Sequence, residues 1–233
     1  QFNHDGGSSS NAIDDVLPFA YEEPWDPGMG TNEGNIFGAA VNVGSVTYKT
    51  PAFELPMGVT ASLTADYDPQ ANVAAPSAGG VGTDGASGEA YTIKLAHESG
   101  LTLGGGNMKV GNTAAREGES AATGYAKYSN GGLTVGYQEF YYNAPSEGAD
   151  TDGDGMAIAY TAGDVTISYS VMNEQTNAHG ATAALEEEEI SAFQAAYTMG
   201  GMTLAASLYE SDNIEGVAGV KYEETELSVS FAF

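Results

Sequence analysis

The chain has 233 residues, with 32 Asp or Glu against 6 Lys or Arg, and its formal net charge is −26. This charge argues against nucleic acid as a partner, because an acidic surface repels a polyphosphate. The absence of cysteine excludes disulfide frameworks, thiolate metal sites and cysteine nucleophiles.

Residues 1–40 are predicted to form an irregular, acidic loop. Glycine and serine fill 6–10, and Pro18, Pro24 and Pro27 leave no room for a long helix or strand. Apolar side chains such as Leu17 and Trp25 indicate that this loop packs compactly against another part of the protein. Its acidic side chains are Asp14, Asp15, Glu22, Glu23, Asp26 and Glu33.

From about residue 41 onward, apolar and polar residues alternate with period two. Val165, Ile167 and Tyr169, for example, are separated by threonine and serine. This pattern predicts about eleven strands of roughly 8–11 residues, each with one apolar and one hydroxyl-rich face. The predicted strands begin near residues 41, 58, 89, 101, 120, 133, 155, 165, 188, 202 and 224.

The connections between these strands alternate in length. Glu98-Ser99-Gly100 and Gly200-Gly201 have the composition of tight turns, whereas the long connections hold most of the Asp, Glu, Pro and Asn. A longer turn, Pro51 to Met57, is predicted to join the first pair of strands. Short connections at one end and long ones at the other indicate antiparallel up-and-down strands.

Alternation alone is compatible with a soluble β-sandwich and with a transmembrane β-barrel. Three observations favour the barrel. Tyrosines lie at the apolar phase near strand ends, as in an interfacial girdle. The opposite face is poor in charge, with Lys49, Lys94 and Lys127 as isolated inward cations, and the last alternating segment ends in the aromatic Phe233. We therefore predict an all-β, antiparallel up-and-down transmembrane β-barrel.

The motif Val46-Thr47-Tyr48-Lys49-Thr50-Pro51, followed by Phe53 and Gly58, resembles the segment after the constriction loop of general Gram-negative outer-membrane porins, especially alphaproteobacterial ones. Phe233 resembles the C-terminal signal read by the outer-membrane barrel assembly machinery. The resemblance implies that residues 1–40 are the third extracellular loop, folded into the lumen, and that residues 41–233 are the C-terminal strands of a single-domain barrel. Such barrels usually have about sixteen strands, and an open sheet leaves unpaired edges in lipid. We therefore expect N-terminal strands to be missing from this chain.

The resemblance also implies a function without catalysis. It predicts a water-filled channel for passive diffusion of ions and small hydrophilic solutes, in the outer membrane of a Gram-negative bacterium. The expected partners are outer-membrane lipid, lipopolysaccharide and two further copies in a homotrimer. Loop carboxylates facing wall lysines would set a transverse field at the constriction, and the net charge predicts a preference for cations. The predicted constriction residues are the six loop acids named above with Lys49, Lys94 and Lys127.

A second acidic motif has two readings. Asp150, Asp152 and Asp154 alternate with small residues and precede Gly155, as at the start of a calcium loop. The closing Glu of that loop is missing, because Thr161 stands at its position. The motif is therefore either an acidic turn or a weak calcium site at the outer rim.

The sequence offers little for an enzyme. His4, His97 and His179 have no zinc or triad spacing. Gly104-Gly105-Gly106 lies within a predicted strand, where it indicates a bulge or close packing rather than a phosphate loop. The alternative to a channel is an acidic calcium-binding extracellular β-protein with an adhesive or surface-layer role. That alternative explains the charge but not Phe233 or the tyrosines at the apolar phase.

Overall fold

The structure is a computed structural model that describes residues 2–3, 13, 16–24, 45–71, 86–111, 118–143, 149–178 and 185–232. Within these ranges, no helix has the length and apolar character needed to cross a membrane. Strands dominate the described chain, and the remainder consists of turns, short 3₁₀ turns and the segment that includes residues 16–24.

The strands form a single antiparallel sheet in which nearly every strand pairs with its neighbours in sequence. Twelve strands follow one another across the sheet, and β3 pairs with β4 beside β2. The predicted all-β, up-and-down architecture is confirmed. The strands are β1 Phe2–Asn3, β2 Ser45–Lys49, β3 Phe53–Leu55, β4 Val59–Ala71, β5 Ala86–His97, β6 Leu101–Val110, β7 Ser120–Asn130, β8 Leu133–Asn143, β9 Ala149–Ala162, β10 Val165–Ala178, β11 Glu188–Met199, β12 Met202–Asp212 and β13 Lys221–Phe231.

The sheet is not closed into a barrel in the described residues. β13 pairs with β12, and at the other end of the strand order β1 pairs with β2. The predicted closure is therefore not confirmed. The two edges of the sheet carry backbone groups that no described strand satisfies.

Tight turns join the strands at one end of the sheet, which we call the turn end; the opposite end is the loop end. In the β9–β10 hairpin, Ala162 lies opposite Val165 and only two residues form the turn. Gly163 in this turn has a φ of 60°, a left-handed conformation that glycine adopts without steric cost. The strands then pair without interruption as far as Ala149 and Ala178.

β2 and β3 are two parts of one interrupted edge strand. Between them, three residues, Thr50 to Ala52, lie opposite only two residues of β4, which makes a β-bulge. Pro51 accounts for the break because it has no N–H to donate to the ladder. The extra residue shifts the alternation, so that Tyr48 and Phe53 are both exposed on one face. The predicted turn from Pro51 to Met57 is therefore wrong, since the chain turns only at Pro56–Gly58.

One face of the sheet, which we call the outer face, exposes large apolar side chains. Ile93, Ile167 and Val229 are 43%, 43% and 51% exposed, and Leu227 reaches 74%. Val59, which the alternation assigns to the same face, is half-buried. The predicted outward orientation of these apolar side chains is confirmed for Ile93, Ile167 and Val229.

The opposite, inner face buries hydroxyl, amide and carboxylate groups together with a smaller apolar cluster. Ile13, Val16 and Leu17 pack on this face with apolar wall residues such as Met108 and Ile190. We expected this face to be poor in charge, but it buries several carboxylates near the loop end. The buried polar residues are Ser45, Thr47, Thr64, Asp66, Asp68, Glu119, Thr123, Gln138, Thr151, Ser168, Ser170, Glu174, Glu188, Gln194, Ser207 and Ser211.

Candidate functional site

Residues 16–24 lie across the inner face and are held there by Gln194 of β11. The Gln194 side chain accepts a hydrogen bond from the Tyr21 backbone N–H at 3.0 Å and donates one to the Glu22 carbonyl at 2.6 Å. Ser168 accepts a hydrogen bond from the Ala20 N–H at 2.9 Å. Because Gln194 is fully buried, these bonds satisfy polar groups that are cut off from water.

Glycines of the wall make room for the same segment. A Cβ added to Gly136 would lie 2.9 Å from Leu17 Cδ2 and 3.0 Å from Pro18 Cδ, and one added to Gly155 would lie 3.0 Å from Leu17 Cδ1. On the β7–β8 side, Gln138 donates a hydrogen bond to the Ile13 carbonyl at 2.9 Å. The segment is thus fixed by close packing and by side-chain hydrogen bonds to the wall.

The three predicted wall lysines line one cavity of about 310 Å³, which we call the lysine cavity. Strand register explains their convergence, since Lys94 lies opposite Ser62 and Lys127 lies opposite Thr102 on the inner face. Lys94 and Lys127 are close enough for their charges to repel each other. The cavity is lined by Ile13, Val16, Lys49, Ser62, Thr64, Thr92, Ile93, Lys94, Thr102, Tyr125 and Lys127.

Tyr125 lines this cavity, and its ring occupies the space above Gly104 of the neighbouring strand β6, which has no side chain there. A Cβ on Gly104 would lie 2.3 Å from Tyr125 Cε1. β6 continues with regular register on both sides of this glycine. Of the two readings of Gly104-Gly105-Gly106, close packing is confirmed and a bulge is wrong.

The predicted facing of loop acids and wall lysines is not seen among the described residues. Glu22 lies on the inner face beside β12, away from the strands that carry the three lysines, and its Oε1 accepts a hydrogen bond from Tyr209 at 3.2 Å. Glu23 is half-buried and does not line the lysine cavity. Asp14, Asp15, Asp26 and Glu33 lie outside the described residues, so their predicted role in a constriction stays a prediction.

The sequence analysis missed the carboxylates of the wall itself. Asp66 and Asp68 continue the inner phase of β4 toward the loop end, and Asp66 lies opposite Thr47. Glu174 lies opposite Glu188 at the same end of the sheet. The signal is present in the sequence, because Asp66 follows Ser62 and Thr64 in phase, but the concentration of acids in the long connections hides it. Among the described residues of the inner face, Lys94 and Lys127 therefore lie toward the turn end and the fully buried carboxylates lie toward the loop end, while Lys49 and Glu226 lie between them.

The acidic motif near residue 150 does not form a calcium loop. Asp150, Asp152 and Asp154 all lie in strand β9, and Asp152 accepts a hydrogen bond from Asn177 at 3.2 Å. A regular strand does not turn back on itself, so these carboxylates do not converge as those of a calcium loop do, and the motif is not an acidic turn either. In the described part of the chain, no group of three or more His, Asp or Glu side chains is placed to hold a metal ion. Calcium binding thus stays an untested prediction. The predicted assembly signal, Phe233, lies outside the described residues, so it also stays a prediction.

Tyrosines mark both limits of the apolar band on the outer face. Toward the loop end, Tyr137 donates a hydrogen bond to Glu139 at 2.7 Å, and Tyr91 donates one to Glu89 at 2.9 Å. In each pair, the carboxylate lies two residues farther from the aliphatic side chains than the tyrosine does. Near the turn end, the exposed tyrosines are Tyr128, Tyr160 and Tyr197.

No protein-family model and no curated protein matches this chain. Any function is therefore inferred from the arrangement of its own residues.

Proposed function

We propose that this chain forms part of the wall of an outer-membrane porin, a water-filled channel for passive diffusion of ions and small hydrophilic solutes. The observation that carries this proposal is the reversed burial pattern. Leucine, isoleucine, valine and tyrosine are exposed on the outer face, whereas serine, glutamine and carboxylates are buried on the inner face. In water this arrangement is costly, but next to lipid it is the stable one.

The outer face supports a lipid environment in a second way. A tyrosine ring is apolar while its hydroxyl prefers water, so tyrosines concentrate where hydrocarbon meets the headgroups. The hydroxyls of Tyr91 and Tyr137 bond to carboxylates on the side away from the aliphatic band. This geometry is typical of the boundary between lipid and water.

The open edges of the sheet mean that the proposed channel needs further strands. Backbone N–H and C=O groups in lipid must be hydrogen-bonded, so a spanning sheet has to close. We propose that further strands complete the barrel between β13 and the β1–β2 edge. Assembly as a homotrimer, contact with lipopolysaccharide and recognition by the assembly machinery are proposals that rest on the resemblance alone.

Channel activity is tested by reconstituting the complete barrel, including the strands that close the sheet, into planar lipid bilayers. In a tenfold KCl gradient, we expect a reversal potential whose sign corresponds to K⁺ permeating faster than Cl⁻, because the net charge is −26. A membrane that stays non-conducting would contradict the channel. An anion-selective current would leave the channel standing but contradict the cation preference.

Detergent dependence separates a channel from the alternative, an acidic extracellular β-protein that binds calcium. The exposed apolar band predicts aggregation once detergent is diluted below its critical micelle concentration. Light scattering before and after dilution measures this, with a detergent-free soluble β-protein as the control. A chain that stays monodisperse without detergent would favour the extracellular protein.

A further inference from the structure

Positive charge on this chain is concentrated in one place. Three of the 6 Lys and Arg residues line the lysine cavity, in a chain with 32 acidic residues. None of the described residues that line this cavity is acidic. Among the described residues, the only ion pair joins Lys221 and Asp212, on β13 and β12. The three lysine side chains thus line a common space without a described counter-ion.

The side chains between the lysines are suited to an oxyanion. Ser62, Thr64, Thr92 and Thr102 add hydroxyl donors to the ammonium donors, and Tyr125 adds a phenol. A volume of about 310 Å³ admits a tetrahedral anion with part of its hydration shell. We propose that the lysine cavity is a binding site for a small, multiply charged oxyanion of the phosphate type. The proposal rests on the proposed channel only for how the anion reaches the site from the lumen.

The net negative charge of the protein does not oppose such a site. At physiological ionic strength, charges more than about 8 Å apart are largely screened, so the nearest side chains determine the local potential. The carboxylates that are fully buried on the inner face lie toward the loop end, whereas Lys94 and Lys127 lie toward the turn end. A multiply charged anion gains most here, because it interacts with several ammonium groups at once and relieves their mutual repulsion.

Binding is tested on the detergent-solubilised protein by isothermal titration calorimetry with inorganic phosphate at physiological ionic strength, where the distant carboxylates are screened. The variants are Lys94→Met and Lys127→Met, which keep most of the length of the side chain while removing its charge. The matched control is Lys109→Met, because Lys109 is exposed on the outer face of β6 and its loss changes the net charge equally. Circular dichroism verifies that each variant retains its strands.

We expect saturable phosphate binding by the unchanged protein, a roughly tenfold or larger rise in Kd for Lys94→Met and Lys127→Met, and less than a twofold change for Lys109→Met. Absence of saturable binding, or an equal loss in all three variants, would overturn the proposal. If phosphate binds only after Asp14→Asn and Asp15→Asn are introduced together, loop carboxylates occupy the lysines and the proposal is wrong. A variant that loses its strands is replaced by Lys94→Gln or Lys127→Gln, for which the same outcomes apply.

The same preparation distinguishes the two proposals from each other. Phosphate binding without conductance in bilayers would contradict the channel and support the site. Conductance without phosphate binding would contradict the site and leave the channel intact.

Discussion

Gln194 shows how one buried amide places a whole segment. Its Nε2 donates to the Glu22 carbonyl and lies 3.3 Å from the Tyr209 hydroxyl, while its Oε1 accepts from Tyr21. An apolar side chain at this position would remove one hydrogen bond from the Tyr21 N–H and one from the Glu22 carbonyl, whereas the Tyr209 hydroxyl would keep its bond to the Glu22 carboxylate. A buried polar group without a partner costs about 1–3 kcal/mol.

Replacing this residue tests its role. We expect Gln194→Leu to release residues 16–24 from the inner face and to raise single-channel conductance, because the segment then obstructs the lumen less. Gln175→Leu is the control, since the Gln175 amide bonds to the Thr176 and Leu185 carbonyls at the loop end. Equal conductance in both variants would show that Gln194 does not fix the obstruction.

At the scale of single elements, three consecutive residues of strand β10 lie in three different surroundings. Thr166 is half-buried on the inner face near the turn end, Ile167 is exposed on the outer face, and Ser168 is buried beneath Ala20. Because side chains alternate between faces, neighbouring positions lie in turn on the inner face, on the exposed outer face and beneath the packed segment.

The absence of cysteine makes this alternation directly measurable. In proteoliposomes, we expect Thr166→Cys to react quickly with a water-soluble maleimide and Ile167→Cys to react only with a membrane-partitioning one. Ser168→Cys should react slowly with both reagents. Fast labelling of Ile167→Cys by the water-soluble reagent would place the outer face in water and contradict the lipid-facing orientation.

Strands were the part of the fold that the sequence could predict. In β10, alternation of apolar and hydroxyl residues is continuous, and its predicted start at residue 165 agrees with the structure. The interrupted edge strand could not be predicted in the same way, because Pro51 indicates a turn and a bulge equally well. Only the pairing of β3 with β4 separates the two interpretations.

The candidate site was predicted in part for a similar reason. Strand phase placed Lys49, Lys94 and Lys127 on the inner face, but it did not predict that all three line one cavity, and their role at a constriction stays a prediction. The position of Glu22 could not be derived, since it depends on hydrogen bonds to Gln194 and Tyr209, more than 170 residues away in sequence. Periodicity carries no information about how an irregular segment folds.

For the whole molecule, the main property is the separation of fixed charge along the strands. On the inner face, Lys94 and Lys127 lie toward the turn end, and the buried carboxylates Asp66, Asp68 and Glu174 lie toward the loop end. A pore with opposite fixed charges at its two ends accumulates salt under one polarity of voltage and is depleted of it under the other. In the proposed channel, this charge distribution would make the pore an ionic rectifier.

This separation predicts an asymmetric current–voltage curve for a single channel. We expect rectification at 0.1 M salt and a nearly linear curve at 1 M, where the screening length falls to about 3 Å. Joint replacement Lys94→Met and Lys127→Met should weaken the asymmetry, and Lys109→Met should preserve it. A linear curve at low salt would contradict a functional separation of charge.

The contact between Gly136 and Leu17 has a practical consequence for redesign. The position of residues 16–24 depends there on a missing methyl group in the wall, while the backbone of Gly136 in β8 pairs with Lys127 of β7 and Ala157 of β9 whatever side chain stands there. Enlarging that one residue in steps, from alanine to valine, would push the segment away while leaving the scaffold of the sheet unchanged. The width of the proposed channel could then be adjusted in small steps by substitutions in the wall beneath residues 16–24. No group that a passing solute touches would be altered.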